Sequence, residues 1–170
     1  MIIQTTRFGQ IEVDEAKFIT MERPILGFDS LRQYVLFPGR GNAPLWWLQS
    51  IQSPAIAFAV VDPVIINPDY DPEFSSDILE MLEIKNIEDI ALLTIVTSCP
   101  QPFRITANLK APLLINAENK RAAQIILDDS DYPIQYDIVG NKTYLSRPEP
   151  EEPSGMHLLD KLSHSQPNYP

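Results

Sequence analysis

Leu48-Gln49-Ser50-Ile51-Gln52-Ser53-Pro54-Ala55-Ile56-Ala57-Phe58-Ala59-Val60-Val61-Asp62-Pro63 sets the reading of this chain, because it joins β-type apolar runs to the turn residues that stop them. Side chains alternate across a strand, so Ile56, Phe58 and Val60 share one face and the alanines share the other. Residues 55–61 therefore read as a strand with a bulky core side and a closely covered side. Pro54 and Pro63 stand where the ladder has to end, since proline offers no donor to a neighbouring strand. Residues 106–130 form a second block of the same kind, punctuated by Pro112.

Working outward, alternation and β-branched residues predict strands at 1–5, 8–13, 33–37, 45–51, 55–61, 90–97, 102–107, 113–116 and 123–127. Residues 91–96 are apolar on both faces, which predicts a central strand covered twice. Ile78, Met81 and Leu82 recur at helical spacing behind Ser76 and Asp77, so 75–84 is read as one short helix, and a second turn is expected from Asn86, where Glu88 and Asp89 favour the positive end of a helix dipole. Sixteen prolines limit further helix. Many short strands, one or two short helices and frequent turns indicate a mostly β fold, an antiparallel sheet curled into a barrel-like or a sandwich form.

A chain of 170 residues fits one domain, since a unit of this size hides about two-thirds of its unfolded surface in a single core. That domain is placed at 1–146. Residues 147–170 hold five prolines, both histidines and a net charge of −2, and are expected to form a flexible, Pro-rich acidic tail. Met156, Leu158, Leu159 and Leu162 leave room for a small amphipathic turn that docks on a partner or on the body. Isolated helices this short are marginal in water, which favours a weakly ordered end.

The formal charge is −10, from 13 basic and 23 acidic residues. Phosphate backbones bind through release of counterions to Lys and Arg, so a direct nucleic-acid role is not expected, and Lys110, Lys120 and Arg121 read as solvated loop charges. No apolar run approaches the roughly 20 residues of a membrane helix, and the amino terminus lacks the pattern of a secretory signal. A cytoplasmic protein is expected, and the Asn141-Lys142-Thr143 triplet then reads as a turn. Cys99 is the sole cysteine, which excludes an internal disulfide; it reads as a small buried hydrophobe, because a catalytic thiol needs a histidine beside it and His157 and His164 lie far along the chain.

Little in the chain suggests reaction chemistry. Asp69, Asp71, Asp128, Asp129 and Asp131 lie near strand ends and offer the alternative of a carboxylate-dependent hydrolase, which requires two of them to converge across a cleft with one pKa raised. Aspartates beside Asn, Ser and Pro more often bond their own backbone in turns. The glycine and distal glutamate of a calcium loop are missing around Asp129-Ser130-Asp131, and no phosphate-cradling loop, nucleophile elbow or zinc helix is present. Neither a metal nor a cofactor is expected, and the chain is not expected to be an enzyme. Trp46 and Trp47 are neighbours on a strand and must face opposite ways, one into the core and the other free for a contact or for cover by a loop.

Phe8-Gly9-Gln10-Ile11-Glu12-Val13, Pro44-Leu45-Trp46-Trp47-Leu48-Gln49-Ser50, Pro68-Asp69-Tyr70 and Thr106-Ala107-Asn108-Leu109-Lys110-Ala111-Pro112 occur in an order that resembles the FliW family of bacterial flagellar assembly factors, over roughly residues 1–136. The resemblance implies a small cytoplasmic β-barrel-like protein, a monomer when free. It further implies that the protein binds flagellin before secretion and binds the RNA-binding carbon storage regulator CsrA, relieving repression of flagellin translation until flagellin draws it away. On matching positions the resemblance points to Gln49, Phe58, Asp69, Tyr70, Asn108, Leu109, Lys110 and Pro112 as partner-binding residues. Among these, Phe58 also reads as core, Asn108 as a turn former and Pro112 as the end of an edge strand.

Overall fold

The computed structural model describes residues 1–41, 43–140 and 156–167. Eleven strands are present among them: β1 (Ile2–Thr5), β2 (Gly9–Glu12), β3 (Ile19–Arg23), β4 (Gln33–Pro38), β5 (Leu45–Ser50), β6 (Ala57–Val61), β7 (Ile90–Pro100), β8 (Phe103–Ala107), β9 (Leu113–Asn116), β10 (Arg121–Gln124) and β11 (Tyr136–Asp137). β1 and β2 form a separate hairpin, and the remaining nine make one sheet in the order β11-β8-β7-β6-β5-β4-β3-β10-β9, with β9 pairing again to β7. That last pairing closes β3, β4, β5, β6, β7, β9 and β10 into a seven-stranded barrel, so of the two forms the sequence left open the barrel is the one adopted. All neighbours are antiparallel except β3 and β10.

Closure depends on the length of β7. Its first half pairs with β9, Ile90 to Asn116 through Leu93 to Leu113, and its second half pairs with β8, Val96 to Ala107 through Pro100 to Phe103. β8 and β9 thus run in line against a single edge of β7, interrupted by residues 108–112. β6 occupies the opposite edge at 94–96. As the apolar run at 91–96 predicted, the strand is covered twice: Ala91, Leu93 and Ile95 point into the barrel, while Ile90, Leu92 and Val96 pack on an outer layer.

The interior cluster takes alternate residues from every barrel strand, among them Ile19, Met21, Tyr34, Leu36, Trp46, Leu48, Val60, Leu113 and Ile115. α1 (Pro63–Ile66) and α2 (Ser76–Met81) cover the outer layer through Ile66, Ile78 and the adjoining Leu82. α1 is a helix the strand pattern hides: Asp62 caps it by accepting from the Val64 N–H, and Pro63 takes the first-turn position where its missing donor costs nothing. The turn expected from Asn86 is a 3-10 turn at Ile87–Asp89, and another lies at Glu15–Lys17. Trp47 points away from the interior and is covered by the β1–β2 hairpin. Its ring meets Phe8 edge-on at 5.7 Å, and the Arg7 guanidinium sits 4.3 Å from the ring centre.

Two readings are corrected. Cys99 is exposed, because residues 97–100 of β7 project with β8 beyond the barrel, where both faces meet water. β10 runs Arg121–Gln124, starting two residues before the predicted strand, and beyond it Ile125 and Leu127 donate to the carbonyls of Pro112 and Lys110. Within the stretch read as a tail, α3 (Met156–Leu162) buries Leu158, Leu159 and Leu162 in the barrel cluster, and residues 163–166 bond to the body. Residues 141–155 and 168–170, which include the Asn141-Lys142-Thr143 triplet, lie outside the described residues.

Tyr34 is fully buried, and its hydroxyl has no hydrogen-bond partner among the described residues. Burial pushes its pKa up to about 12. The folded protein therefore keeps a proton that the unfolded chain releases at lower pH, so this group's contribution to stability falls as the pH rises from 10 through about 12. Tyr34→Phe removes an unsatisfied buried group at nearly constant volume. Urea denaturation is expected to show a gain of about 1 kcal/mol at neutral pH and a shallower alkaline loss. A loss of stability of similar size would mean that the hydroxyl is satisfied.

Candidate functional site

The break between β8 and β9 brings five of the eight candidate residues together. Asn108 turns the chain there, its Oδ1 accepting from the Ala111 N–H at 3.1 Å, a local bond that short polar side chains make in turns. Its backbone stays tied to β7, the N–H donating to the Ile95 carbonyl and the C=O accepting from the Thr94 hydroxyl. Leu109 is fully buried in the outer layer. Tyr70, also buried, donates from its hydroxyl to the Leu109 carbonyl at 2.9 Å and packs on Tyr132 with ring centres 4.5 Å apart. Burial raises the Tyr70 pKa, and the neighbouring Tyr132 raises it further. The Lys110 ammonium donates to the carbonyls of Asp128 and Ser130, holding the turn after residue 127. Pro112 is buried, and its carbonyl accepts from the Ile125 N–H where the ladder resumes.

The other three stand apart. Asp69 is exposed beside this cluster, in the turn that the Tyr70 N–H closes onto the Asn67 carbonyl. Gln49 is fully buried, and its amide donates to the carbonyls of Ser50, Ser53 and Ile56 at 2.8, 3.2 and 2.9 Å, tying the β5–β6 turn. Phe58 is half-buried at one end of the barrel, edge-on to Phe28 at 4.9 Å. Gln49, Tyr70, Leu109 and Pro112 thus have no side-chain surface to offer a partner. Phe58, Asp69, Asn108 and Lys110 keep some.

Phe58 and Asn108 line one cleft, of about 310 Å³, at the barrel end that the loop after β3 overhangs. Ile25, Leu26 and Phe28 come from that loop, Ile95 from β7 and Ile134 from the segment before β11. Gln124 fixes the overhang: its Oε1 accepts from the Leu26 N–H at 2.8 Å while its Nε2 donates to the Ala111 carbonyl at 3.2 Å. Gly27, at φ +83, lets the loop turn there. Leu26 is 60% exposed and Ile134 65%, so the mouth presents two large apolar side chains to water, and no charged residue lines it. Leu26 and Ile134 are residues the sequence reading missed. The Pro24-Ile25-Leu26-Gly27-Phe28 run, apolar yet built as a turn, was the signal that could have found Leu26, and Ile134 has no comparable signal around it.

The five aspartates of the hydrolase alternative are all exposed, and none lines this cleft or the one beside residues 163–167. Asp62 is the carboxyl pushed up by burial, opposed by its bond from Val64, and it caps α1. The basic candidates are engaged locally: Arg121 pairs with Glu22 at 2.8 Å and with Glu83, and Lys120 donates to the Glu118 carbonyl. Among the described residues no three His, Cys, Asp or Glu side chains converge as a metal site, and no helix is long and apolar enough to cross a membrane.

Tyr70→Phe leaves the Leu109 carbonyl unsatisfied inside the outer layer. It is expected to cost about 1–3 kcal/mol in urea denaturation. An unchanged midpoint would show that the bond does not hold the break in place.

Comparison with known proteins agrees with this fold. The family model described as FliW protein matches residues 2–138. The flagellar assembly factor FliW of Syntrophus aciditrophicus strain SB is 48% identical over 145 residues, 85% of this chain and 92% of the relative. That of Geobacter sulfurreducens is 36% identical over 155 residues, 91% and 97% of the two chains. A crystal structure of the flagellar assembly factor FliW superimposes with a TM-score of 0.75 at 32% identity, covering 81% of this chain and 96% of its own. The chain belongs to the FliW family of flagellar assembly factors.

Proposed function

We propose that this protein works in the cytoplasm as a monomer that holds flagellin and, when flagellin is scarce, holds the translational regulator CsrA in its place. It acts by partner exchange and carries out no reaction. The observation that carries the reading is the barrel-end cleft, where Leu26 and Ile134 stand in water beside Phe28, Phe58 and Ile95 on a member of a flagellar assembly family. Large apolar side chains exposed around a pocket are the usual anchors of protein contacts. The cleft is the flagellin-facing surface in this account. Phe58 and Asn108 shape it from within, and Asp69 and Lys110 lie on the neighbouring turns.

The formal charge of −10 suits CsrA, a basic RNA-binding partner, since complementary charge speeds encounter and sets orientation. Gln49, Tyr70, Leu109 and Pro112 serve this function indirectly, by keeping the scaffold of the cleft in shape.

Purified protein mixed with monomeric flagellin is expected to co-elute as a stoichiometric complex, and added flagellin should displace CsrA. Leu26→Asp and Ile134→Asp are each expected to weaken the flagellin complex at least tenfold with thermal stability unchanged, because both side chains are already exposed. The CsrA complex should weaken as salt rises. A CsrA complex indifferent to flagellin would remove the exchange mechanism, and full flagellin affinity in both aspartate variants would move the contact surface elsewhere.

A further inference from the structure

The barrel end opposite the open cleft is closed by α3 and the residues behind it, which lie past the end of the family model at residue 138. Leu158, Leu159 and Leu162 enter the interior cluster beside Leu36, Trp46 and Ala117. Behind them residues 163–166 form a strap. Ser163 bridges to Leu36 in parallel, the His164 N–H donates to the Leu36 carbonyl at 2.8 Å, and Gln166 donates to the Gly39 carbonyl. From the body, Lys17 donates to the Ser163 carbonyl at 2.7 Å and the Asp14 N–H donates to His164 Nε2 at 3.0 Å.

Two features distinguish this attachment from the rest of the core. Apart from one exposed pair, Lys161 to Glu118 at 3.5 Å, every strap bond among the described residues uses, on the body's side, a main-chain atom or the flexible Lys17 ammonium, groups that an extended segment of other sequence can also meet, while from the strap's side His164 Nε2 and the Gln166 amide are the two side chains engaged. The fit is also incomplete: a cleft of about 520 Å³ remains between the strap and β2, and the buried Nδ1 of His164 has no partner among the described residues. Selectivity therefore rests mainly on the three leucines, apolar positions at i, i+1 and i+4 of one helix face, with the His164 and Gln166 side chains adding to it in the strap.

We propose that α3 and its strap are a detachable plug, an intramolecular ligand seated in a helix-docking site at this end of the barrel. The site takes an amphipathic helix with apolar side chains at i, i+1 and i+4 followed by an extended segment, and in the free protein that occupant is the chain's own 156–167. Its opening exposes a second apolar surface, distinct from the cleft at Phe58, and it stands whether or not flagellin and CsrA are the partners.

The test is a labelled synthetic peptide of residues 156–167, titrated by fluorescence anisotropy into the full-length protein and into the full-length Leu159→Ser, Leu162→Ser double variant. The variant is expected to stay folded, with the far-UV dichroism of the parent, and to bind the peptide at least tenfold more tightly than the parent, whose site is filled. The same peptide carrying both serines should bind neither. In the unmodified protein the His164 amide should exchange with deuterium at least a hundredfold faster than the slowest amides of β5, through opening of the plug alone. A double variant that does not fold, a peptide that binds both proteins equally or neither, or a His164 amide as slow as those of β5 would each make α3 a fixed part of the core and overturn the proposal.

Discussion

Everything in this barrel rests on one edge of β7 serving two strands. A strand offers one row of donors and acceptors per edge, so β8 and β9 can share that row only by lying end to end, with a break between them that neither loses the edge nor leaves polar groups bare. Residues 108–112 are that break. Asn108 supplies a side-chain acceptor in place of a ladder bond, Thr94 from β7 satisfies its carbonyl, and Pro112 re-enters the ladder where no donor is needed. Tyr70, Lys110 and Gln124 then satisfy the carbonyls and turns that the interruption would otherwise leave unpaired. Once β9 is in register, the barrel closes and the outer layer of α1 and α2 has a curved sheet to cover.

This explains why the densest motif in the sequence is largely hidden from partners. Tyr70, Leu109 and Pro112 are fixed by closure and Gln49 by the β5–β6 turn, so their chemistry is inward. Apolar surface other than the wall lies at the ends of the barrel, where loops and termini can vary without disturbing the ladder. One end carries an apolar cleft under the Pro24–Phe28 overhang, and the other is covered by α3. The seven closed strands have no free edge along the wall, and the open edges lie in the β7–β8 extension and β11 beyond it.

Much of this was legible from alternation alone. The faces of β6, the double cover of β7 and the opposed tryptophans followed from period two, and those residues lie where that period puts them. β3 was missed although Ile19 and Met21 alternate with Thr20 and Glu22, because Met-Glu-Arg favours helix and its parallel partner, β10, lies about a hundred residues away. β11 is two residues long, below any pattern. The cleft was not legible, since it is assembled from six separate segments whose proximity is a property of the closed sheet. Nor was the docking of α3, whose leucines pay the entropy of a short helix only because the barrel end receives them.

Native-state hydrogen exchange as a function of denaturant measures closure directly. If the shared edge of β7 holds the barrel together, the protected amides of β9 exchange only through global unfolding, at the same free energy as those of β4 and β5. Exchange of β9 through a cheaper, local opening while β4 and β5 remain protected would show that the seam is dispensable and contradict this account.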